Sequence, residues 1–192
     1  MDLDLCATIF EEKLKEMELE YLNSSVKVTL KRDIPKLEAL GEVFTDLKIG
    51  AVIRVRRWMA EKLVEAGAAQ QDSQQVTPAV IRQIEWRERN NPTDLQRLPD
   101  FFYQDAWSLI SGNKGRARVR DTTLHAMLLD LASLRLAKIL RFSRREAMED
   151  LLKRLTPEER LLHRALRNLV EVWQRNVTMP SEAEQQEVSE GE

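Results

Sequence analysis

Between residues 117 and 142 the chain holds more leucine than one side of one helix can use. Laid out at about 100° per residue, Leu124, Met127, Leu128, Leu131, Leu134, Ile139 and Phe142 fall on one broad arc. An arc of that width is what turns a helix toward a core. Leu129, Leu136 and Leu140 fall on a second stripe, a quarter-turn or more away. A helix covered on one side leaves such a stripe in water, so the pattern predicts a second packing partner. Two cations lie inside the first arc, Arg135 and Lys138. Burying them unpaired is strongly unfavourable, and Glu85 and Glu88 are the expected carboxylate partners. The competing expectation is that both cations run their stems along the apolar surface and reach water.

The segments around this helix carry their own start signals. Thr77 before Pro78 offers a hydroxyl acceptor at an N-cap and, behind it, a residue with no N–H to satisfy. Ser143 with Glu146, and Thr156 with Glu159, have capping-box spacing, and Pro157 strengthens the second. Helices are therefore expected over 78–90, 100–111 and 117–142, with a pair within 144–176. Ahead of them, Leu5, Ile9, Leu14, Met17 and Tyr21 recur at steps of three to five, which predicts an N-terminal helix over 2–22.

Only one stretch reads as β. Val26, Val28 and Leu30 alternate with polar residues, and 43–55 contains β-branched stretches punctuated by Gly41 and Gly50. A short helix over 57–66 follows, carrying Trp58, Met59, Leu63 and Val64, and Gly67 is suited to end it. The run Gln70 to Gln75 has no periodicity and reads as a linker. The expected organisation is an N-terminal extension over 1–25, a small β-rich domain over 26–70, a linker over 71–77, a helical domain over 78–177, and an acidic tail over 178–192 expected to be disordered. The fold class is mainly α, a bundle of about four to five helices preceded by the β-rich domain and the N-terminal helix.

Charge and composition narrow the function. Thirty basic residues against 32 acidic ones give a net charge of −2, which argues against a protein whose main task is to neutralise phosphates. Arg54, Arg56 and Arg57, beside Trp58, still fit a weak DNA contact, or equally a solvated strand edge with Trp58 buried. Cys6 is the only cysteine, so no disulfide or thiolate metal site forms within one chain. No eighteen apolar residues follow one another, so no membrane partner is expected. His125 and His163 lie in separate helices with no nucleophile or metal motif around them, and Gly112 to Gly115 lacks a phosphate-loop frame and reads as a turn. Trp86, Phe101, Phe102 and Trp107 read as core. No catalytic residue, cofactor or metal is expected.

Four segments, in order, resemble the GINS replication complex family: LKIGAVIRVRRWMAEKLVEAGAAQ (47–70), WRERNNPTDLQRLPDFFY (86–103), LASLRLAKIL (131–140) and LTPEERLLHRAL (155–166). The resemblance is to the class with the small β domain before the helical one. It implies an archaeal subunit corresponding to the second and third partners of the eukaryotic complex. It further implies a non-enzymatic scaffold that joins another GINS subunit in a heterotetramer and bridges the MCM helicase to a RecJ-like protein. On it, Leu129, Leu136 and Leu140 are subunit interface, and Trp58 and Met59 lie on a docking face. The expected location is the cytoplasm, at the nucleoid in an archaeon, or the nucleus in a eukaryote. The alternative is a helical DNA-associated regulator that reads DNA through the small domain.

Overall fold

The structure is a computed structural model that describes residues 3–39, 41–71, 76–111, 122–143 and 149–178. It opens with α1 (Leu3–Asn23) and continues through β1 (Ser25–Leu30), β2 (Ile34–Ala39), β3 (Glu42–Leu47) and β4 (Val52–Arg56). Helix α2 (Arg57–Glu65) and strand β5 (Ala69–Gln71) close the β region. The helices α3 (Pro78–Asn90), α4 (Phe102–Ser111), α5 (Thr122–Phe142), α6 (Glu149–Leu152) and α7 (Pro157–Thr178) follow. The mainly helical architecture is thus the expected one.

In the β region β1 is central, antiparallel to both β4 and β5, while β2 and β3 form a separate hairpin. Alternation along β1 sends Val28 and Leu30 inward, where they meet Val55 and the α2 residues Met59, Ala60 and Leu63. The chain leaves α2 through Gly67, whose φ of +64° an L side chain would resist. Its N–H donates to the Val64 carbonyl at 2.9 Å, and Ala68 N–H to the Leu63 carbonyl at 2.8 Å. This paired 5→2 and 6→1 arrangement is a Schellman cap. It turns the chain directly into β5, so Gln70 and Gln71 are strand residues rather than the start of the linker. Backbone pairing with Thr29 and Val28 holds them, and such pairing needs no side-chain periodicity to be seen in advance.

The bundle begins as its caps require. Thr77 Oγ1 accepts from Val80 N–H at 3.3 Å, with Pro78 at the first helical position. Both arms of the second capping box are made: Thr156 N–H donates to Glu159 Oε2 at 3.1 Å, and Glu159 N–H to Thr156 Oγ1 at 3.4 Å. At the other box the Ser143 hydroxyl donates back to the Leu140 carbonyl at 2.8 Å. Glu146, the first residues of the expected 117–142 helix, the glycine turn at 112–115 and residues 179–192 of the expected tail lie outside the described residues, while Thr178 is the last residue of α7. The main core gathers Ile81, Phe102, Ile110, Leu124, Leu128 and Leu131. A smaller one gathers Leu95, Ile139 and Leu155.

Three elements meet at one polar knot between the β region and the bundle. Asp105 on α4 accepts from the Tyr21 hydroxyl of α1 and from Arg57 Nη1 of α2, both at 2.9 Å. The Arg57 guanidinium stacks over the Tyr21 ring at 4.1 Å. Burial, then the Asp105 carboxylate, raises the Tyr21 pKa, so its hydroxyl remains a donor. Asp105→Ala is expected to leave the buried Tyr21 and the largely buried Arg57 without this acceptor, at a cost on the order of 2 kcal/mol. Hydrogen exchange should then speed up first in the C-terminal turns of α1 and in α2. Uniform exchange across the chain would mean that the knot does not hold these elements together.

Candidate assembly surface

Helix α5 carries both features that the sequence places on it, and they point in different directions. On the inward side Arg135 is fully buried and Lys138 nearly so. Neither reaches water. Arg135 Nε and Nη2 donate to the two oxygens of Glu159 at 2.6 and 2.7 Å, a forked geometry that favours arginine over lysine. Its Nη1 is shared between Glu88 Oε1 and the Gln96 carbonyl. Lys138 Nζ donates to Glu88 Oε2 and to the carbonyls of Glu88 and Asp94, the last two at 2.8 Å. Two cations thus face two carboxylates. Gln96 N–H and the Tyr103 hydroxyl complete the acceptors' shells at 2.8 and 2.6 Å.

Burial works against charge on Arg135, yet its hydrogen bonds and attraction to Glu159 raise its pKa and keep it protonated. Burial and the Glu159 carboxylate likewise raise the pKa of Tyr103 well above its ordinary value, so this hydroxyl stays a donor. Glu88 is one of the two carboxylates expected from the sequence. Glu85 is not part of the cluster: it lies about one turn back along α3 and pairs instead with Arg89 on its own helix at 2.6 Å. Its place is taken by Glu159, which the sequence marks only as a capping residue. Nothing local ties residue 159 to residue 135, because their meeting depends on how α7 is laid against α5.

On the outward side Leu129, Leu136 and Leu140 are 55%, 41% and 44% exposed. With Ala126 and Ser133 they keep a 3-4-3-4 spacing along the exposed face, the period that suits a neighbouring helix packed at a shallow angle. A second uncovered stripe goes beyond the sequence expectations. The far half of α7 exposes Leu169, Val172, Trp173 and Val177. These continue the stripe of Leu162 and Leu166, which is partly buried nearer the start of the helix. The 4-3-4 spacing from Leu162 to Trp173 is the signal that could have revealed it.

Met59 is buried in the core of the β region and cannot present a docking face, and Trp58 packs against the same core, half-buried. Their burial follows from α2 covering the inner face of the sheet. Arg57 is committed to Asp105, Tyr21 and Ser24, so it is not a DNA contact. Arg54 is exposed and Arg56 half-exposed, the latter donating to Asn23 Oδ1 at 3.5 Å. Phe102 is core and Phe101 half-buried, but Trp86 and Trp107 are exposed. Helix α3 turns Ile81 and Glu88 inward and thereby turns Trp86 out, and Trp107 stands edge-on to His125 at 5.8 Å. His163 is buried, and burial together with the Arg167 cation lowers its pKa.

Comparison with known proteins bears on the bundle. Residues 75–178, over half of the 192-residue chain, match the family described as Sld5: GINS complex protein helical bundle domain. No curated protein matches the chain.

Proposed function

The chain belongs to the GINS complex protein family, and from that premise we propose that it is the subunit class in which the β-rich domain precedes the bundle. In this reading it is an archaeal, non-enzymatic scaffold. It forms a heterotetramer with another GINS subunit, and the assembly bridges the MCM helicase to a RecJ-like protein at the replication fork. The proposed limits are a β-rich domain over 26–71, moved by one residue to include all of β5, and a helical domain over 78–177. The proposed location is the cytoplasm, at the nucleoid.

The observation that carries the reading is the outward face of α5. One helix seals the core with one side and leaves Leu129, Leu136 and Leu140 uncovered on the other. Periodic apolar faces of this kind mark protein interfaces, and α7 adds a second with Trp173, a residue type that dominates interface energetics. The order of the elements, β region first and bundle second, supports the subunit class. Co-expression with a candidate partner subunit, followed by light scattering and a pull-down with MCM and RecJ-like protein, tests it. A mass above that of the monomer and retention of both proteins are expected. A chain that stays monomeric beside every such partner would overturn the reading.

A further inference from the structure

Strand register brings cations together on the outer face of the sheet β4-β1-β5. Lys27 on β1 lies directly across from Arg54 on β4, and both are exposed. The next outward pair along the same two strands is Ser25 and Arg56, and Thr29 faces Val52 on one side and Gln70 on the other. Among these residues there is no carboxylate. Like charges directly opposite in an antiparallel pair oppose folding, yet the register sets Lys27 against Arg54 with no carboxylate across from either. The inner face packs on the small core, while Lys27, Val52, Arg54 and Gln70 on the outer face are exposed.

We propose that this face is a sequence-independent contact for the phosphate backbone of duplex DNA, centred on Lys27 and Arg54 and flanked by Arg56. Apart from Val52, its residues are Lys, Arg, Ser, Thr and Gln, the side chains that supply most hydrogen bonds to phosphate and sugar. An acidic peptide is the other ligand a cationic face attracts. Peptide recognition along a sheet draws its specificity from pockets for alternate side chains, and this face offers Val52 alone as apolar surface. It also holds no aromatic residue on which an unpaired base would stack, which favours a duplex over a single strand. The proposal differs from the sequence expectation in its residues: Arg57 leaves the contact for the Asp105 knot, and Lys27, 27 residues before Arg54, enters it through strand pairing alone. It does not depend on the assembly reading.

The test uses the full chain, a fluorescently labelled duplex, a second duplex of scrambled sequence, and an oligoglutamate of equal length, followed by anisotropy over a salt series. The wild type should bind both duplexes equally and the oligoglutamate more weakly. The double variant Lys27→Ala/Arg54→Ala should bind the duplexes about tenfold more weakly. Its log–log salt slope should be shallower by about 1.8, since each phosphate left unneutralised removes about 0.9. A charge-matched control, Lys13→Ala/Lys15→Ala on α1, should bind as the wild type does. Equal weakening in both double variants would reduce the effect to net charge and overturn the proposal. So would stronger binding of oligoglutamate than of duplex, or wild-type binding too weak to detect at low salt.

Discussion

Replacing Arg135 with alanine is expected to destabilise the folded chain by about 3 to 5 kcal/mol, the range for breaking a buried ion pair by removing one partner. The count of charges explains the size. With the guanidinium gone, Lys138 is the one cation left in the cluster for two carboxylates, and it reaches Glu88. Glu88 keeps Lys138 and the Gln96 N–H. Glu159 is worse placed, because its forked partner is gone and only the Thr156 N–H and the Tyr103 hydroxyl remain. Arg135→Lys should recover part of the stability, since it restores the charge but not the fork. Urea unfolding of the three proteins measures the order. A change within about 0.5 kcal/mol for the alanine variant, typical of an exposed site, would mean that both carboxylates find water when the arginine is removed.

The second large effect is on assembly. Leu136→Asp is expected to abolish association with partner subunits, by about 100-fold or more in affinity. That corresponds to the roughly 2 kcal/mol or more that marks an interface hot spot, added to the cost of pressing a carboxylate into an apolar contact. The isolated chain should keep its fold, because this position is 41% exposed there and the residue change costs a helix only about half a kcal/mol. Leu131→Asp, on the buried side of the same helix, supplies the contrast: it should unfold the bundle. If Leu136→Asp also unfolds the isolated chain, the stripe is core. If it assembles as well as the wild type, the partner helices lie elsewhere, and α7 with Trp173 becomes the face to test.

What was legible in the sequence was whatever depends on neighbours a few residues away. The two faces of α5, the cap at Thr77, the box at Thr156 and Glu159, and the turn at Gly67 are all local: each is decided by side-chain spacing or by a single backbone conformation. That α5 needs a second partner follows from the same spacing. So does the presence of two cations where a core was due.

Only the tertiary structure decided which groups answer those demands. Glu159 pairs with Arg135 and Glu85 does not, because α7 is laid across α5 while Glu85, about one turn back along α3, is held by Arg89. Lys27 stands beside Arg54, and Arg57 is held by Asp105, through strand register and helix docking that join residues 27 to 48 positions apart. Met59 is hidden for the same reason, since α2 folds back over the sheet. Periodicity along a chain shows that a surface must be covered or a charge met. The partner comes from a distant stretch, and no spacing within the first stretch contains its address.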